Sequence, residues 1–152
     1  MNIQLLYKIE KKKFKLPDYK ELNFEFDISS IESNDFVLRA IRKKIIEKID
    51  SYTTILGDLL QPDAGISSMH ELNFVDEKVK QDIINLYSKM MTIKRESEKI
   101  EIYNDEKENA DFINFVLVEW KNLKQKLLKT MTLLKESWKK EDEVVKDLGY
   151  LG

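Results

Sequence analysis

The chain has 152 residues, 42% hydrophobic and 36% charged, with 26 basic against 28 acidic residues and a formal net charge of −2. This length suits one domain around a single core, and the near-balance of charge gives no global electrostatic case for nucleic acid or an anionic membrane. Cysteine is absent, which excludes disulfides, thiolate metal sites and cysteine nucleophiles; 4 glycines and 2 prolines leave few turns and favour long helices.

The first 33 residues differ from the rest. In LNFEFDI, Leu22, Phe24, Phe26 and Ile28 alternate with Asn23, Glu25 and Asp27, the period of a half-buried strand. Ile3, Leu5, Tyr7 and Ile9 alternate as well, and Pro17-Asp18 between the two runs is a turn signal. This pattern predicts a small N-terminal β-hairpin over residues 1–33. A competing reading makes Ile3 to Lys13 a short helix with LLYKIEKK as its body. The opening MNIQLLYKIEKKKFK lacks the long apolar core of a secretory signal. No apolar run approaches the roughly 20 residues of a membrane span.

Residues 34–140 carry three long amphipathic patterns. Ser33 or Asn34 can cap the first, with Asp35 favourable at the positive helix end. Its stripe is Leu38, Ile41, Ile45, Ile49, Tyr52, Leu56 and Leu59, and Gln61-Pro62 ends it. The run PDAGISS reads as a loop, and Ser68 with Glu71 has the spacing of a capping box that would start a short helical turn. The second helix begins near Asp76 with a heptad seam of Val79, Ile83, Leu86, Met90, Ile93, Ser97 and Ile100, interrupted only by the serine. Tyr103-Asn104-Asp105 and the EKEN run form the next connection. The third helix, from Asn109 to Lys139, places Ile113, Val116, Trp120, Leu123, Leu127, Met131 or Thr130, Leu134 and Trp138 on one face. The tail, 141–152, is apolar, while Gly149 and Gly152 discourage further helix; it either docks or is presented to a partner. The expected fold is mainly α, one domain, an antiparallel three-helix bundle carrying the N-terminal hairpin.

Few residues suggest chemistry. His70, the single histidine, lies beside Glu71 in the predicted loop or cap and marks a candidate functional loop. No second histidine completes a di-iron or zinc-protease spacing, and no glycine-rich phosphate loop or paired nucleophile and base is visible. The expectation is a protein that is not an enzyme and holds no metal or other cofactor. Two basic clusters stand out: Lys11, Lys12, Lys13 and Lys15, and Arg39, Arg42, Lys43 and Lys44. Folded side by side, they would form one phosphate-binding patch. Apolar residues beside the seams, namely Ile46, Ile84, Met91, Leu117, Leu128 and Leu133, either widen the core or create an exposed face.

Three stretches, DFVLRAIRKKIIEKIDSYTTILGDLLQPD, SMHELNFVDEKVKQDIINLYSKMM and EWKNLKQKLLKTMTLLKESWKK, together resemble small, all-helical, uncharacterised archaeal proteins. The resemblance implies a cytoplasmic archaeal protein and carries no activity or site. The residues themselves point to a helical-bundle interaction module that binds a protein partner or a second copy and no membrane. The alternative is a nucleic-acid or ribonucleoprotein-associated factor using Lys11, Lys12, Lys13, Arg39, Arg42 and Lys43.

Overall fold

A computed structural model describes residues 2–32, 35–61 and 65–151, and in these all regular secondary structure is helical. The helices are α1 (Ile3–Lys13), α2 (Tyr19–Phe26), α3 (Val37–Leu60), α4 (Ile66–Phe74), α5 (Glu77–Tyr103), α6 (Glu106–Ser137) and α7 (Glu141–Leu151), with a single 3-10 turn at Ile28–Ser30. The expected β-hairpin is therefore absent, and the competing helix over Ile3–Lys13 forms. The cause lies in the alternating pattern itself, because every second alternating residue is also four apart. Leu22 and Phe26 are buried while Phe24 between them is 80% exposed; Ile3 and Tyr7 are buried while Leu5 and Ile9 are not. A helix needs only those i, i+4 pairs, and local chemistry supplies its ends. The Asn2 side chain accepts from the Gln4 amide at 2.8 Å, and Lys11, Lys12 and Lys13 occupy the negative end of α1. Asp27 closes α2 in the left-handed conformation, φ 53°, and the Asn23 side chain accepts from the Ser29 amide at 2.7 Å.

Two other boundaries differ from expectation. The EKEN run is the first turn of α6 rather than a connection: Asn104 takes a left-handed turn, φ 53°, and Asp105 caps the Lys107 amide at 2.8 Å. The tail is helical despite Gly149, because α7 is held by tertiary bonds described below. The predicted Ser68–Glu71 capping box does not form, since α4 starts earlier, after Gly65. The predicted cap at Ser33 or Asn34 lies outside the described residues, as does Pro62.

The chain divides into two compact units, Met1–Ser51 with Thr92–Lys121, and Tyr52–Met91 with Asn122–Gly152. In the first unit Leu38, Ile41, Ile45 and Ile49 of α3, Ile93 and Ile100 of α5, and Ile113, Val116 and Trp120 of α6 are buried together with Tyr7, Leu22, Phe26 and Ile28. Arg42 bonds Ser97 while Asp50 pairs with Lys94 at 2.7 Å, so α3 and α5 run antiparallel. Helix α2 lies against α3 and α6. The Trp120 indole donates to the Glu25 carboxylate at 2.8 Å, Lys48 donates to the Glu25 carbonyl, and Lys121 pairs with Glu21. Asn114 of α6 also donates to the Lys15 carbonyl, which fixes the link between α1 and α2.

The Tyr7 hydroxyl donates to the Pro17 carbonyl at 2.6 Å, and its ring lies 5.5 Å from Tyr19. Burial, reinforced by the Asp18 charge, pushes the Tyr7 phenol well above its ordinary value. A group raised in the folded state contributes stability that is complete below its unfolded pKa, about 10, and lost as pH rises beyond it. Tyr7→Phe should lose about 0.5–1.5 kcal/mol at neutral pH, the worth of one hydrogen bond. The difference from wild type should shrink above pH ~10, because only wild type carries this phenol. Denaturant midpoints at pH 7 and pH 11 measure both; a difference that grows with pH contradicts the assignment.

In the second unit the core is Leu56 and Leu59 of α3, Ile83, Leu86 and Met90 of α5, Leu123, Leu127 and Leu134 of α6, and Val75. Gly57 lets α3 approach α5 closely: a Cβ there would sit 3.3 Å from the Tyr87 ring. Of the two residues expected at one stripe position, Thr130 is buried and Met131 only half-buried.

Candidate functional site

Three places in the two units gather polar or exposed apolar groups. The first is built on Arg42 in the first unit. Its predicted partners in a basic patch are Arg39 and Lys43, yet Arg42 is itself 2% exposed. Its Nε donates to Asn109 Oδ1 at 2.7 Å, and Nη1 donates to the Ser97 carbonyl at 3.0 Å and hydroxyl at 2.6 Å. Nη2 bonds Glu101, whose carboxyl that bond holds below its ordinary value. The interruption at Ser97 is thus the socket for a buried guanidinium, and Asn109, wholly buried, is its far wall. Lys43 pairs with the same Glu101 at 3.5 Å. Arg39 donates to Asn104 Oδ1 at 2.9 Å and lies 4.5 Å over the Phe36 ring. One residue of each basic cluster, Lys13 and Arg39, acts on the same carboxyl, Glu106. Burial and Glu10 push that carboxyl up, while Arg39 and Lys13 act against them. Lys13 also pairs with Glu10 at 3.4 Å. Lys11 and Lys12 are exposed.

The second place lies in the second unit, where α4 and α7 meet. His70 is fully buried, and it lies within the helix α4 rather than in a loop. Its Nδ1 lies 2.7 Å from the Asp147 carboxylate of α7 and its Nε2 lies 2.9 Å from the Ser137 carbonyl. The Trp138 ring lies tilted against the imidazole, centroids 4.4 Å apart, and its indole donates to Glu71 at 3.2 Å. Lys140 lies 5.0 Å over Phe74. A base acting on a hydroxyl needs one ring nitrogen free to take its proton. Here Nε2 faces a carbonyl, which has no proton to give. The group acts as a clip that fastens the tail helix. Val144 and Leu148 are half-buried there, while Val145 remains exposed.

The third place was not legible as a site in the sequence. Along α6, Asp111, Phe115 and Val118 share one face outside the core stripe, and Phe115 is 51% and Val118 62% exposed. In the first unit Phe115 lines a groove of 320 Å3 between α5 and α6, over Ile100 and Phe112 and rimmed by Glu96, Glu108 and Asp111. Ile102 and Tyr103, at the end of α5, are also exposed. In the second unit a separate groove of 470 Å3 between α5 and α6 has Val79, Leu86 and Leu133 as its apolar lining and Lys89, Lys126 and Lys129 on its rim. Of the apolar residues expected beside the seams, Leu117 joins the core, Ile46, Met91 and Leu133 are half-buried, and Ile84 and Leu128 are exposed. The signal available in the sequence was the displacement of Phe115 from the Ile113–Val116–Trp120 stripe.

Among the described residues no cluster of three or more histidine or acidic side chains is arranged to hold a metal ion. Among the same residues no helix is long and apolar enough to cross a membrane. Compared with known proteins, the chain matches no family model, no curated protein and no solved structure.

Proposed function

We propose that the protein is a non-enzymatic helical interaction module whose docking face is the groove between α5 and α6 in the first unit. The observation that carries this reading is an asymmetry. The α3–α6 side of that unit is covered by α2, which is bonded to both helices through Glu21 and Glu25. The α5–α6 side keeps Phe115 and Val118 more than half exposed beside an apolar-floored groove. Large exposed apolar side chains rimmed by charge mark surfaces that bind other proteins. The groove is open along a helix pair, which suits a helix laid into it.

The nucleic-acid reading draws less support. Arg42 is withdrawn from solvent, and Arg39 and Lys43 each have a protein partner within 3.5 Å. The test is capture of partners by the tagged protein from lysate of its source organism, with and without nuclease. Proteins retained after nuclease treatment, and lost when Phe115 is replaced by Asp, support docking at the groove. Recovery of nucleic acid, with all partners lost to nuclease, overturns it in favour of the basic residues.

A further inference from the structure

The two grooves carry rims of opposite charge. In the first unit Glu96, Glu108 and Asp111 surround an apolar floor. In the second, Lys89, Lys126 and Lys129 surround another, with Asp82 at its edge. Two lysines sit near the acidic rim, Lys107 at 3.1 Å from Asp111 and Lys99 at 3.9 Å from Glu96. Both lie on exposed helix surface, where such pairs hold weakly and exchange readily.

Resting on the docking reading above, we infer that the occupant is a second copy of the chain: the acidic-rimmed groove of one copy pairs with the basic-rimmed groove of the other. Each groove is the open side of a helix pair, and pair on pair is the packing of a four-helix bundle. Lysine stems cover apolar surface while their ammonium groups reach outward to carboxylates. Like rims repel and unlike rims attract, so the charges choose the acidic–basic pairing over the two alternatives. Each copy carries one groove of each kind, so the contact is head to tail and joins two or more copies. Exposed rim charges make the association sensitive to salt.

The test is mass in solution, by light scattering and sedimentation, with helicity recorded for each variant. Wild type should show at least twice the 18.1 kDa chain mass at low salt, with at least tenfold weaker association at 1 M salt. Lys89→Glu/Lys129→Glu and Glu96→Lys/Asp111→Lys, all on the rims, should keep wild-type helicity and each run as a monomer. An equimolar mixture of the two should recover the association, because each groove of one variant again meets a groove of opposite charge on the other. A wild type that stays monomeric at high concentration overturns the inference. So does an association that both charge reversals leave intact. If the wild type is monomeric while partner capture still depends on Phe115, the second copy is excluded and docking at the groove stands.

Discussion

Arg42→Ala should destabilise the protein by about 3–5 kcal/mol, the cost of removing one partner from a buried, hydrogen-bonded charge network. The wholly buried Asn109 carbonyl and the Ser97 carbonyl and hydroxyl would be left facing a cavity. Arg42→Lys should recover only part of this, since one ammonium cannot reproduce the fork that reaches α5 and α6 together. Lys43→Ala, at a side chain more than half exposed beside the same Glu101, should change stability by less than about 0.5 kcal/mol. Denaturant midpoints at constant slope measure all three. The pH dependence follows from Glu101, whose carboxyl the Arg42 bond depresses. A depressed carboxyl contributes stability above its unfolded pKa and loses it as pH falls, so Arg42→Ala should flatten the acid limb of stability. A loss below about 1 kcal/mol would mean that Arg42 is solvated, against its burial.

His70→Ala should cost about 2–4 kcal/mol, from a cavity beneath Trp138 and two lost hydrogen bonds. It should also release α7. Protease sensitivity within 138–140, and loss of amide protection over residues 141–149, report that release separately from global unfolding. Replacements at Asp147 separate charge from hydrogen bonding. Both neighbours of the ring, the Asp147 carboxylate and the Ser137 carbonyl, are acceptors, so an imidazolium satisfies both and a neutral ring only one. The amide of Asp147→Asn can donate to Nδ1 and serve the neutral ring, whereas Asp147→Ala can serve neither form. Asp147→Asn should therefore be clearly milder than Asp147→Ala. Equal losses would show that the contact is electrostatic alone, and an unchanged α7 in His70→Ala would remove the clip.

The long helices were legible because three stripes with steps of three or four residues leave little other choice. Leu38 to Leu59, Ile83 to Ile100 and Ile113 to Leu134 supply the cores of their units. The N-terminal pair was misread as strands because Leu22, Phe24, Phe26 and Ile28 satisfy both periods; burial of Leu22 and Phe26, with Phe24 exposed, is what separates them. The tail was misread through Gly149, since propensity is a weak term beside the bond between Asp147 and a histidine 77 residues away. Arg42 looked like one more solvent-facing cation among Arg39, Lys43 and Lys44. The informative sign was on another helix, where Ser97 alone broke an apolar seam. A polar gap there is tolerable when a polar group fills it. Docking faces were least legible, because Phe115 and Val118 become conspicuous only once the stripe beside them is known to complete the core.

If the α5–α6 face of the first unit binds partners, as proposed, capture must depend on its exposed apolar side chains. The most direct measurement is the nuclease-treated capture run in parallel with wild type, with Phe115→Asp/Val118→Asp, and with Leu5→Asp as an exposed apolar control on α1. All three substituted side chains are more than half exposed, so helicity should match wild type throughout. Wild type and Leu5→Asp should retain the same bound chains, added or self, and Phe115→Asp/Val118→Asp should lose them. Retention by all three, or loss in the Leu5 variant alone, contradicts docking at this face.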